Sequence, residues 1–219
     1  MWQFVGMFVF AQIFSAFFSY SFKLYGESDS THPAIDEITL TWAASIGSGL
    51  VNGLSRVVIG AFVDKVGFKR LFMGLMIVQL GNSLVCYWAA WIPAAYFICV
   101  LLNYMVVGGM YAIFPVTVTN VFGLEIGPKI YVWILLGGTF VSLFNLLETS
   151  VIEPVIGYAA LFYVNSGFCL LVVIVTCFYE EKLDVERLRR YGALKSQVGI
   201  DQKEYKYDQA VEGEVSSRM

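Results

Sequence analysis

Arg56 is the residue whose type and position most demand a chemical explanation. It lies inside an apolar stretch, about 10 Å up a helix from the nearest basic loop. An ionised group at that depth is costly and faces a protein interior or a water-filled cavity rather than lipid. Ser45, Gly49, Asn52, Arg56 and Gly60 recur at three- and four-residue intervals, one helical face of small or polar groups. A guanidinium on such a face offers a planar fork of donors suited to a carboxylate. Arg56 with Asn52 beside it is therefore the candidate substrate-binding pair. The competing role is structural, with Arg56 snorkelling to headgroups or pairing with Asp64 two turns away.

Two further polar faces have helical spacing. Gln12, Ser15, Ser19 and Lys23 form one; Gly138, Ser142, Asn145 and Thr149 form the other, with Glu148 beside them. Small and hydroxyl residues at such positions are commonly packing contacts between membrane helices, and that is the role expected for most of these. Glu148 is expected near the outer interface as a hydrated carboxylate. His32 stands alone in an acidic segment and supports no metal or catalytic role. The four cysteines lie in apolar stretches without metal-ligand spacing, as small buried or lipid-facing hydrophobes. No metal, cofactor or catalytic residue is expected, and enzymatic activity is not.

The elements that hold these residues follow from composition. Of 219 residues, 58% are hydrophobic and only 14% charged, against about a quarter charged in an ordinary soluble domain. From Leu71 to Leu124 there is no Asp, Glu, Lys or Arg at all. Such a chain cannot cover a soluble surface, which excludes a soluble enzyme or a nucleic-acid-binding module. Fold class is all-α integral membrane protein. A helix needs about 20 apolar residues to cross the hydrocarbon core. Charges and prolines divide the chain into six such stretches, at about 2–22, 38–63, 71–90, 94–119, 130–150 and 157–179. Pro33, Pro93, Pro128 and Pro154 mark the breaks, and Pro115 predicts a helix bend. Residues 1–179 are thus a membrane domain and 180–219 a charged tail with little hydrophobic content, expected to be disordered.

Orientation follows from the basic residues. Lys65, Lys69 and Arg70 lie between the second and third stretches, and Arg187, Arg189 and Arg190 follow the sixth, while the first link is acidic. These place both termini in the cytoplasm.

The segment from Gly60 to Arg70, with Asp64, Lys65, Gly67 and Lys69 between, resembles the G-x-x-x-D-R/K-x-G-R/K-R/K signature of the major facilitator superfamily. In that family it joins helices two and three and, more weakly, eight and nine. Phe68 stands where a basic residue is usual, which suits the weaker copy. Asn52-Gly53-Leu54-Ser55-Arg56 with Gly60 and Asp64 looks like the eighth helix of the oxalate:formate antiporter group and its monocarboxylate-transporter relatives. Gly108-Gly109, Phe114-Pro115 and Asn120-Val121-Phe122-Gly123 look like that group's tenth helix and the loop after it, and Tyr131 is similarly placed in the eleventh. The resemblance implies helices seven to twelve, the C-terminal half of a transporter built from two inverted three-helix repeats. It also implies that Arg56 contacts the substrate anion. Asn52 replaces an Asp typical of proton-coupled carriers, and Leu136-Gly137-Gly138-Thr139 lacks the lysine of oxalate carriers, so a monoanion fits better than a dianion.

The implied function is secondary transport of a small organic anion such as a monocarboxylate, formate or oxalate by alternating access. Gly60, Asp64, Lys65, Gly67, Lys69 and Arg70 would form a conformational latch. Partners would be the bilayer and a missing N-terminal half or a second copy of the chain. The alternative is a non-transporting truncated paralogue acting as a membrane partner subunit.

Overall fold

The computed structural model describes residues 2–28 and 32–179. The tail 180–219 lies outside the described residues, as do Asp29 of the acidic link and the side chain of Asp64. Among the described residues there is helix and no strand.

Helix α1 (Trp2–Glu27) is followed by a short link and by α2 (Glu37–Ser45), capped where the Asp36 carboxylate accepts from the Thr39 amide at 3.4 Å. A π-helical segment, Ile46–Val51, leads without interruption into α3 (Asn52–Val66). Then come α4 (Phe68–Ala89) and α5 (Pro93–Leu147), a π-turn at Glu148–Ile152, and α6 (Glu153–Phe178). Five helices are long and apolar enough to cross a membrane: Trp2–Glu27, Glu37–Val63, Phe68–Ala89, Pro93–Gly123 and Glu125–Phe178. Trp2, Val57, Phe140, Val155 and Phe178 stand fully outward, large apolar groups of the kind a lipid surface accepts.

Glycines, not prolines, make three of the links. Gly67, Gly123 and Gly157 have φ of 86°, 80° and 75°, a region other L-residues avoid. At Gly123 the chain doubles back: a Cβ on Gly127 would lie 2.8 Å from the Cα of Thr119, four residues to either side of the turn. At Gly157 it doubles back again, since Asn165 on α6 donates to Glu148 at 3.0 Å. The breaks expected at Pro128 and Pro154 therefore fall five residues earlier and three later than those prolines. Pro128 sits just inside a new helix, where a missing amide costs little. Pro154 sits beside the π-turn, which already loosens the ladder. Helical φ/ψ continue through Pro115.

Two aromatic cores fill the bundle. Phe4, Phe8, Phe68, Phe72, Phe114 and Tyr179 meet at one end. Phe14, Phe18, Phe22, Tyr25, Tyr96 and Phe162 meet toward the other. Edge-to-face pairs such as Phe8–Phe114 at 5.0 Å and Phe72–Phe114 at 5.5 Å are worth about 0.5–1.5 kcal/mol each beyond simple burial. Side-chain amides stitch the helices between and beside these cores. Gln79 donates to the Ala11 carbonyl at 2.8 Å, Asn103 to Ser15 O at 3.2 Å and Ser19 Oγ at 2.9 Å, and Asn82 to the Cys99 carbonyl at 3.0 Å. Between apolar helices in lipid, such bonds and close packing do the work that water does for a soluble core.

Candidate functional site

The π-segment at Ile46–Val51 shifts the helix register immediately before the candidate pair. After it, Asn52, Arg56 and Gly60 follow regular four-residue spacing on α3, while Ser45 precedes the π-segment and Gly49 lies within it. Ser45 satisfies itself by donating to the Thr41 carbonyl at 2.9 Å. The face expected to run unbroken from Ser45 to Gly60 is thus two segments. Only the later one carries the polar pair.

Arg56 is exposed, and its Nε donates to Asn52 Oδ1 at 3.1 Å. Its guanidinium carbon lies 5.3 Å from the centre of the Tyr111 ring, a cation–π contact that orients the fork's plane. The close seating of α3 on α5 depends on Gly108. A Cβ there would run into Ser55 Oγ and lie 2.5 Å from the Asn52 carbonyl oxygen. Gly60 is less demanding, because its added Cβ would meet only the Ala112 methyl at 3.8 Å.

Tyr111 also lines a cleft of about 160 Å³ with Gln12, Ser15, Ser19 and Tyr20 of α1 and with Gly138 and Ser142 on the second arm of α5, a cleft that Arg56 and Asn52 themselves do not line. The two polar faces read from the sequence as packing surfaces therefore converge on a cavity whose wall is the ring under Arg56. Ser19 and Ser142 do have packing roles, Ser19 accepting from Asn103 and Ser142 donating to the Gly138 carbonyl at 3.1 Å. Lys23 pairs with Glu27 and Glu37 at 3.6 and 3.1 Å. Gln12 and Ser15 are different. Both are buried, and Gln12 Nε2 and Ser15 Oγ have no hydrogen-bond partner. A buried donor left unpaired costs about 1–3 kcal/mol, and both atoms lie beneath the surface of the cleft that their residues line.

The latch residues cluster at one end. Gly67 makes the single-residue turn between α3 and α4. Lys69 donates to the Cys177 carbonyl at 2.8 Å, capping the C-terminal end of α6 where a cation is favoured. Lys65 and Arg70 are exposed.

One expectation needs correction. Glu148 is buried rather than hydrated: it is 1% exposed, lies at the start of the π-turn and is held by Asn165. His32 is buried, with Nδ1 2.9 Å from the Pro33 carbonyl and Nε2 3.0 Å from the Tyr25 carbonyl, so it ties the α1–α2 link to the end of α1. Sequence reasoning also missed Tyr111 as a site residue. Its spacing from Tyr104 and Gly108 was visible, but a tyrosine in an apolar helix reads first as packing.

In comparisons with known proteins, no family model matches the chain, and neither a curated protein nor a solved structure does.

Proposed function

We propose that the chain is one half of a major-facilitator-type secondary transporter that moves a small organic anion by alternating access. Arg56 engages the carboxylate and Asn52 fixes the guanidinium. The carrying observation is the exposed Arg56 guanidinium, its Nε held by Asn52 Oδ1 at 3.1 Å and its carbon 5.3 Å from the centre of the Tyr111 ring, with Tyr111 also bordering a polar cleft. Donors without acceptors, together with a cation, are complementary to an anion.

Six crossings are supported by the positions of the ends. The rings of Phe4 and Tyr179 lie 5.7 Å apart, so the described chain starts and finishes at the same end of the bundle, which supports an even number of crossings. The stretch Glu125–Phe178 has 54 residues. As one rod it would run about 80 Å, against a hydrocarbon core of about 30 Å, and the reversal at Gly157 supports reading it as two crossings. Lys69 and Cys177 meet at the end shared by Tyr179, and the basic residues there support a cytoplasmic placement for both termini.

Facilitator halves rock around a central site, which requires a second six-helix unit. The exposed Arg56 face of α3, on a helix only 17% buried in its most apolar window, is where that unit would sit. It would be an N-terminal half or a second copy. The test is uptake of labelled formate, lactate and oxalate by cells expressing the chain. Arg56→Ala should abolish uptake at unchanged surface expression. Unchanged uptake overturns the site, and no uptake by the wild type favours a non-transporting partner subunit.

A further inference from the structure

Glu148 is a buried carboxylate that the proposed anion site does not use. It sits in the π-turn Glu148–Ile152, one side of a hairpin closed at Gly157. Its Oε1 accepts from Asn165 Nδ2 at 3.0 Å, and its Oε2 has no partner. Two more orphan acceptors belong to the same cluster. Asn165 Oδ1 is unpartnered, while its amide nitrogen donates to Glu148 and to the Leu161 carbonyl. Asn145 Oδ1 is unpartnered on the turn below, its amide nitrogen donating to the Val141 carbonyl at 2.9 Å. All three side chains are at most 2% exposed.

The cluster is therefore rich in acceptors and short of a donor. Asn165 is the described side chain that hydrogen-bonds to Glu148. Of the ionisable groups on the elements packed against the turn, Lys23 of α1 is taken by Glu27 and Glu37, and the Tyr25 ring lies 5.1 Å from that of Tyr158. Glu153 and Cys169 of α6 bring no positive charge, and Lys129 stands at the opposite end of the second arm of α5. Among the described residues no cation balances the carboxylate. A single proton on Oε2 neutralises it and supplies the missing donor at the same time.

The cluster shares a helical face with the cleft: Gly138, Ser142, Asn145 and Glu148 recur at three and four residues, and the first two line the cleft that Tyr111 borders.

We propose that Glu148, with Asn165 and Asn145, is a proton-binding site: Oε2 takes one proton from water on one side of the membrane and returns it to water on the other. Nothing else is oxidised, reduced or transferred. That this proton is coupled to anion movement rests on the transporter reading; that the site is protonated does not.

Two measurements separate these claims. The first is infrared difference spectroscopy on the purified full chain in nanodiscs at neutral pH, wild type against Glu148→Gln. The proposal expects a protonated-carboxyl C=O band in the wild type that shifts in D2O and is missing from the variant. Asn165→Leu, which removes the donor to Oε1, should keep the band but move its frequency. The absence of any such band overturns the proposal. So does its loss on adding sodium chloride at constant pH, which would make this an alkali-cation site.

The second measurement uses proteoliposomes with a proton gradient, labelled formate outside and a pH-sensitive dye inside. Glu148→Gln, fixed in a neutral form, should retain formate exchange and lose gradient-driven accumulation with its dye signal. Accumulation equal to the wild type overturns the coupling. If the wild type moves no formate, lactate or oxalate, the transporter reading fails and the infrared band still decides the proton site.

Discussion

Arg56 Nε donates to Asn52 Oδ1 one helical turn earlier, at 3.1 Å. That bond uses the inner edge of the guanidinium and leaves the terminal nitrogens, which bond to none of the described residues, directed past the Tyr111 ring. An arginine held this way is pre-oriented, so little rotamer freedom is lost when a carboxylate arrives. Replacing Asn52 with Leu should leave Arg56 in place but unrestrained. The net value of one such bond is about 1 kcal/mol, equivalent to about a fivefold rise in the KM for carboxylate uptake. Arg56→Lys keeps the charge and loses the fork, and should weaken uptake by about tenfold or more.

Gln12 offers a sharper separation of packing from binding. Its buried amide nitrogen has no partner, so Gln12→Leu removes an unsatisfied donor and should leave thermal stability unchanged or raised by about 1–2 kcal/mol. Carboxylate uptake should fall in the same variant. A loss of stability with uptake intact would mean that Gln12 only packs.

Glycines on α3 and α5 make opposite predictions. Gly108→Ala forces a methyl against Ser55 Oγ and the Asn52 carbonyl, and should cost about 1–3 kcal/mol in a thermal unfolding assay. Gly60→Ala finds only Ala112 at 3.8 Å and should be close to neutral.

The turn glycines differ again. Gly157→Ala must place an L-residue at φ 75° although nothing lies within 4 Å of the new methyl, so its cost of about 1–2 kcal/mol is purely backbone strain. Gly74 and Gly81 also have open space but ordinary helical backbone, and alanine there should stabilise by up to about 1 kcal/mol.

Lys69→Met removes the bond to the Cys177 carbonyl and the favourable charge at the end of α6. Hydrogen exchange in the last turn before Phe178 should accelerate by a few-fold, consistent with about 1 kcal/mol. The core amides near Phe162 should not change.

The apolar stretches, their approximate limits and the Arg56–Asn52 pair are legible in the sequence because they depend on length, hydropathy and local spacing. The turns are less so. Pro128 and Pro154 draw the eye, but a proline is tolerated in a first helical turn or beside a π-turn, while the reversals need the positive φ of Gly123 and Gly157. Rotation of a helix about its axis is not legible either. Depth alone suggests a hydrated Glu148, whereas its helical face, one turn on from the buried Asn145, places it inside the bundle. The same ambiguity left Gln12 and Ser15 among packing residues, since helical spacing gives a face without saying whether a neighbour or a cavity lies opposite.

The central claim is that Arg56 and the cleft beneath Tyr111 bind a carboxylate. Equilibrium binding of radiolabelled formate, lactate and oxalate to the purified chain, wild type beside Arg56→Ala, tests it most directly. Saturable binding of at least one of them, lost in Arg56→Ala while the variant keeps the wild-type melting temperature, is the predicted result. Equal binding by a folded Arg56→Ala protein, or none by the wild type, would contradict it.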